Sequence, residues 1–243
     1  MRIFAISDLH LSLSCPEKDM SVFGPNWEDY QEKIKTHWQS IVKDEDLVLI
    51  AGDISWAMRL DQACIDLEFI HSLNGSKVIS KGNHDYWWSS LTKVKKILPS
   101  SIQAVHHNAI DIDNVSICAT RFGDSLDFNF DSIVDVNPSQ IKQQDPKEKE
   151  KIYIRELNRL EIALKELNQS AAIKIAMVHY PPISLDLKDN PATRLLEKYQ
   201  VNFCVFGHLH NVKKGTYFGT KNNVHYMFTS CDYLNFTPIL ITT

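Results

Sequence analysis

Several things are missing from this chain, and each absence narrows what it can be. No apolar run approaches the roughly 20 residues a helix needs to cross a bilayer, so a membrane partner is not expected. Positive charge is not in excess: 26 Lys and Arg face 30 Asp and Glu, a net charge of −4. Without a dominant basic stripe, nucleic acid is not an expected partner either. The short lysine clusters, such as Lys93, Lys95 and Lys96, read as solvated surface. Five cysteines (Cys15, Cys64, Cys118, Cys204 and Cys231) are odd in number, widely spaced and without a C-x-x-C pair. That argues against a disulfide framework or a zinc knuckle and for free thiols in a reducing compartment. The opening MRIFAISDLH lacks the longer apolar region and small-residue cleavage site of a signal peptide, and the expected location is cytoplasmic. There is no internal repeat, low-complexity tract or clean linker, so residues 1–243 are expected to form one domain.

What is present is an ordinary globular composition, 44% hydrophobic and 23% charged, ample for a substantial core. RIFAIS (2–7), DLVLIA (46–51) and KVIS (77–80) read as strands, separated by helical patterns around 27–42 and 60–72 and followed by one at 88–98. This alternation predicts an α/β chain with a parallel or mixed buried sheet. Residues 104–120 read as short strands around an Asp-Asn turn, and 121–150 as a long polar loop or insertion. An amphipathic helix is predicted over about 147–168, strands at 173–179 and 202–208 with a helix near 190–199 between them, and further strands over 213–242. The whole predicts two packed sheets.

Polar clusters recur at the strand ends. RIFAIS runs into Asp8 and His10, DLVLIA into Gly52-Asp53, and KVIS into Gly82-Asn83-His84-Asp85. IKIAMV ends in His179, and NFCVF in Gly207-His208-Leu209-His210. In open α/β sheets the carboxyl ends of the strands share one crevice, so five clusters far apart in sequence can meet there. Imidazole, carboxylate and amide oxygen, with no thiolate among them, suit manganese, iron or zinc. Asp8, His10, Asp53, Asn83, His179, His208 and His210 are too many for one tetrahedral ion, and two ions sharing one carboxylate use them well.

D-x-H, G-D, G-N-H-D, an isolated His and G-H-x-H, in this order between Asp8 and His210, resemble the calcineurin-like metallophosphoesterase superfamily. GDISWAM and GNHDYWW further resemble a bacterial subgroup of predicted phosphohydrolases. One departure is Val178 before the isolated histidine, where many relatives have Gly. The resemblance implies a four-layer α-β-β-α sandwich of two mixed β-sheets flanked by helices. It implies two divalent ions (Mn2+, Fe2+ or Fe3+, with Zn2+ possible), one held by Asp8, His10 and His210 and the other by Asn83, His179 and His208, with Asp53 bridging. A hydroxide between the ions would attack phosphorus in line, on a phosphodiester or a small phosphorylated metabolite. His84 would stabilise phosphoryl charge or protonate the leaving oxygen, and Asp85 would accept a hydrogen bond from His84 and orient it.

Two further residues have two readings each. Trp87, within the Tyr86-Trp87-Trp88 run, either packs the core or forms a wall for substrate, and Arg121 either reaches a phosphate oxygen or makes an ion pair. The stretch 22–30 and the insertion 121–150 are candidates for the rim of the pocket. A non-enzymatic scaffold on the same fold is the competing function.

Overall fold

The computed structural model describes residues 1–125, 127–134 and 145–243. The strands β1 (Ile3–Ile6), β2 (Leu47–Ala51), β3 (Ser76–Ser80) and β4 (Ile102–Ala104) lie side by side and parallel. The helices α1 (Tyr30–Ile41), α2 (Leu60–Ser72) and α3 (Leu91–Lys95) make the crossovers between them. A second sheet opens with the hairpin β5 (Asn108–Ile112) and β6 (Val115–Thr120). It continues through α4 (Pro146–Lys165), β7 (Ile173–Val178), α5 (Pro191–Lys198), β8 (Phe203–Phe206), β9 (Thr220–Lys221) and β10 (Val224–Phe228). The chain then returns to the first sheet, where β11 (Ile239–Thr242) pairs antiparallel with β1. The strand orders are β11-β1-β2-β3-β4 and β5-β6-β7-β8-β10-β9; the first sheet has one antiparallel edge, β11, and the second has two, β5 and β9.

Alternation along each strand builds the layers, because successive side chains leave opposite faces of a sheet. Ile3, Ala5, Leu47, Leu49 and Val78 point inward from the first sheet and meet Val115, Ile117, Ile175, Met177 and Val205 of the second. Their neighbours Phe4, Ile6, Val48, Ile50 and Ile79 point the other way, into a core with Ile34, Trp38, Leu67 and Ile70 of α1 and α2. On the far side Cys118, Ala176, Val178 and Phe206 pack with Leu160, Leu164 and Leu196 of α4 and α5. The result is the four-layer α-β-β-α sandwich, with strands buried on both faces.

Local signals place the turns. Asn222 and Asn223 take φ of +46° and +67°, joining β9 to β10 with the two-residue, left-handed turn that asparagine tolerates best. Asp113 has φ +52° in the predicted Asp-Asn turn between β5 and β6. The amphipathic helix α4 starts where Asp145 accepts from the Lys147 amide, with Pro146 in its first turn.

Two helices are shorter than expected. Residues 25–27 form a separate 3-10 turn before α1, and α3 begins only at Leu91, capped by Ser90. Trp88, read as the start of that helix, lies before it, and both Trp87 and Trp88 are drawn into the core of the first sheet. Of the predicted insertion, 121–134 packs Phe130, Ile133 and Val134 on the second sheet's outer core, and Val134 bridges to Val212. Its segment 135–144 lies outside the described residues. Among the described residues, no helix is long and apolar enough to cross a membrane.

The inter-sheet core carries the stability. Leu49→Ala, at a site with no exposure, is expected to cost about 2–5 kcal/mol in denaturant unfolding. The same truncation at exposed Leu240, on edge strand β11, should stay within about 0.5 kcal/mol.

Candidate metal centre and its surroundings

Because β1, β2, β3, β7 and β8 run in one direction within each sheet, their carboxyl ends lie at one edge of the sandwich. There the chain leaves the strands through strained backbone. Asp8, His10, Asp53 and His208 have φ of +58°, +45°, +50° and +72°, a region non-glycine residues seldom enter and one that gathers at functional sites. The strain is held by bonds that cross from sheet to sheet. Both oxygens of Asp8 accept the His208 amide at 3.1 Å, and Oδ2 also accepts the hydroxyls of Ser7 and Ser230. The Asp53 carboxylate accepts the His84 amide at 2.8 Å through Oδ1.

All seven predicted donors meet here. Asp53 Oδ2 lies 3.3 Å from His179 Nε2 and 3.6 Å from His10 Nε2, between the two halves of the cluster. His10 Nε2 and His210 Nε2 are 3.1 Å apart, and His210 Nε2 is 3.8 Å from Asp8 Oδ1. Asn83 Oδ1 is 2.7 Å from His179 Nε2, and the His208 ring centroid is 5.1 Å from that of His179. Two triads, Asp8-His10-His210 and Asp8-Asp53-His179, have ligand atoms all within 4.8 Å of one another.

The donor chemistry fits cations. His179 Nδ1 lies 3.1 Å from the Ala51 carbonyl, which can only accept, so a proton sits there and Nε2 is the nitrogen that faces inward. His210 Nδ1 lies 3.2 Å from Asp232 Oδ1 and is fixed in the same sense. Outer hydrogen bonds of this kind accompany histidines that bind metal. His10 differs, since its Nδ1 is buried without a hydrogen-bond partner among the described residues.

Protonation reflects the same crowding. Burial alone would discharge His179, but Asp53 beside it holds it up at about 9; for His210 burial is likewise overcome by Asp232, again to about 9. Burial pushes His10 down to about 3 and raises Asp8. Lone pairs facing lone pairs, with protons the only positive charge at hand, are the electrostatics of a cation site.

The neighbourhood departs from the sequence reading at Asp85 and His84, and matches one of the two readings at Trp87 and at Arg121. Asp85 does not touch His84. Its carboxylate is buried and accepts the amides of Ile54, Ser55 and Gly82 at 2.9, 3.2 and 2.8 Å, and the Trp87 indole at 3.0 Å. Asp85 thus ties the β2 and β3 loops together, while His84 Nδ1 faces the Tyr86 hydroxyl at 3.3 Å. Burial also lowers His84, which disfavours its charged form. Trp87 is 1% exposed and packs in the first core, which excludes it as a wall for substrate. Arg121 is held 3.5 Å from buried Glu156 and lies over Tyr180, the ion-pair alternative.

Aromatic groups the sequence reading missed do border the cluster. Trp56 stacks on His10 with centroids 4.9 Å apart and stands 4.7 Å from His84. Tyr180 covers His208 at 3.9 Å. Trp27, from the stretch 22–30, meets His10 and His210 edge-on at 6.3 and 5.7 Å, though it is buried. Asp232 was missed as well; the only local signal is that it follows the end of β10, a strand end like the others.

The model of the calcineurin-like phosphoesterase family matches residues 1–212, and the chain belongs to that family. An uncharacterized protein of Methanocaldococcus jannaschii, MJ1445, is 30% identical over 84 residues, 35% of this chain and 47% of its own length; the chain thus matches about half the length of that curated relative. Two crystal structures share the fold. A protein of unknown function from Aquifex aeolicus, AQ665, has 15% identity and a TM-score of 0.51, with 98% of this chain and 95% of that one covered. The phosphopantetheinyl hydrolase PptH of Mycobacterium tuberculosis has 13% identity and a TM-score of 0.55, with 99% and 95% covered.

Two glycines leave room for the carboxylates. A Cβ on Gly82 would collide with Asp53, and one on Gly207 with Asp8 and Ser7. Gly207→Ala is therefore expected to cost about 1–3 kcal/mol of stability by overpacking, measured by denaturant unfolding, since the obstructing atoms belong to the buried Asp8 carboxylate and the buried Ser7 side chain bonded to it.

Proposed function

We propose that this chain is a dinuclear metal-dependent phosphoesterase that hydrolyses a phosphodiester or a small phosphorylated metabolite, with residues 1–243 acting as one unit. The observation that carries the reading is Asp53 Oδ2, 3.3 Å from His179 and 3.6 Å from His10, at the centre of seven nitrogen and oxygen donors. In this reading Asp8, His10 and His210 hold one ion, Asn83, His179 and His208 the other, and Asp53 is shared between them. Manganese, iron and zinc all suit such donors. Bound divalent ions supply a water of lowered pKa and neutralise charge on a phosphoryl group.

The chain's own residues do the rest. Ala51 and Asp232 engage Nδ1 of His179 and His210, so that Nε2 is the nitrogen each ring would offer to a cation, which would take the place of the proton there. The amide of His84 fixes Asp53, and its ring stands at the open side of the cluster beside Trp56 and Tyr86. From there neutral His84 can give a hydrogen bond to a phosphoryl oxygen, and, once charged beside a bound phosphoryl group, a proton to a leaving oxygen. Asp85 acts on the position of the loops, through the amides of Ile54, Ser55 and Gly82, rather than on His84 itself. Family membership supports phosphoester hydrolysis, and a neighbour named as a phosphopantetheinyl hydrolase is consistent with a small phosphorylated substrate.

The test is Mn2+-dependent turnover of bis(p-nitrophenyl) phosphate beside p-nitrophenyl phosphate. Hydrolysis of the diester in preference to the monoester supports a diesterase. Failure to hydrolyse either with two ions bound per chain would favour a non-enzymatic scaffold. His84→Ala is expected to keep both ions while losing about 10²–10⁴ in kcat. Asp232→Asn should weaken Mn2+ binding by about 10–100-fold in calorimetry, because the His210 ring loses the carboxylate that orients it.

A further inference from the structure

Three of the chain's six arginines crowd one place. Arg121, Arg155 and Arg159 line a cavity of about 230 Å³ together with Lys81, His106 and His107, around the single carboxylate of Glu156. All three guanidiniums go to the same oxygen: Arg159 Nη1 at 2.6 Å, Arg155 Nη2 at 3.1 Å and Arg121 Nη2 at 3.5 Å from Glu156 Oε1. The other oxygen, Oε2, is buried and has no hydrogen-bond partner among the described residues. Lys81 donates to the Trp88 carbonyl at 2.7 Å, so its charge meets no carboxylate there. Four fixed cations therefore face one anion across a concave, half-closed surface. Two neighbouring ring nitrogens, His106 Nδ1 and His107 Nε2, are also buried without partners among the described residues. Burial and the adjacent positive charges keep His106 down at about 3, so it adds no charge of its own.

Like charges do not gather around one carboxylate without cost unless a further anion offsets them, and guanidinium forks match the oxygens of a tetrahedral oxyanion. The position is equally telling. Lys81 follows β3, Arg121 follows β6, and the remaining arginines rise from α4, all at the carboxyl edge of the sheets. Arg121 lies 5.9 Å from the Tyr180 ring, and Tyr180 covers His208. We infer that this cavity binds a phosphate-sized dianion beside the proposed metal centre, either free or carried as a second phosphate by the substrate.

Inorganic phosphate titrated into the full chain, followed by the Nε–Hε resonances of the arginines, tests this directly. Saturable shifts are expected at Arg155 and Arg159, while Arg59 and Arg194, in exposed ion pairs elsewhere, stay fixed. Arg159→Gln, at a half-exposed helix position, leaves Glu156 paired with Arg155 and Arg121, so the chain should stay folded with a small fall in melting temperature, and phosphate binding should weaken at least tenfold. No saturable response, or equal movement of all the arginines, would overturn the inference.

The source of the dianion is read from thymidine 5′-(p-nitrophenyl phosphate) with and without a 3′-phosphate, and only this arm rests on the phosphoesterase reading. A gain of tenfold or more in kcat/KM from the 3′-phosphate, abolished in Arg159→Gln, identifies a substrate phosphate. No gain, with the arginine response intact, identifies a free anion. Absence of turnover of these diesters and of both p-nitrophenyl substrates, beside an intact arginine response, would sink the phosphoesterase reading and leave the anion site standing.

Discussion

Everything at the functional edge depends on how the two sheets are locked to each other there. The lock is a small set of buried hydrogen bonds that cross the seam: the His208 amide and the Ser230 hydroxyl onto Asp8, and His179 Nδ1 onto the Ala51 carbonyl. The main chain joins in, with Ser7 donating to Thr229 and accepting from Cys231. Apolar contact between the sheets is non-directional and would tolerate sliding; these bonds do not. A slip of one residue would carry Asp8 away from His210 and leave buried polar groups unpaired, which costs more than the bonds contribute when made.

The same residues therefore serve two ends. Asp8 is both a seam contact and an inward-facing donor, and its backbone is strained at φ +58° in order to be both. Strain of this kind persists only where the surroundings over-determine it. Here a glycine opposite, two hydroxyls and an amide do so. The arrangement is costly without a cation, since burial raises Asp8 and discharges His10. Metal uptake would relieve a tension already built into the folded chain, and stability and site occupancy should be linked as a result.

Much of this was legible in the sequence. Two sheets, the turns at Asp113 and Asn222-Asn223, and the meeting of seven distant donors follow from alternation, turn residues and polar groups at strand ends. The pattern fails where neighbours in sequence diverge in space. His84 and Asp85 are adjacent, yet their side chains leave the turn in different directions, one to the open side and one inward to three amides. Adjacency suggested a pair; the turn forbids it. Trp56 and Tyr180 were missed because aromatic residues beside a motif look the same whether they pack a core or border a cluster. The group around Glu156 was invisible because it joins β3, β6 and α4 through side chains with no shared spacing.

The cluster and the arginine-lined cavity also differ in how freely they can change. The first is built from strained, buried positions pinned by the sheets, where substitutions carry large penalties. The second hangs on Arg155 and Arg159, half-exposed on the outer helix α4. Drift at those positions would cost the fold little, so lineages sharing this framework are free to diverge in what they recognise long before they diverge in chemistry.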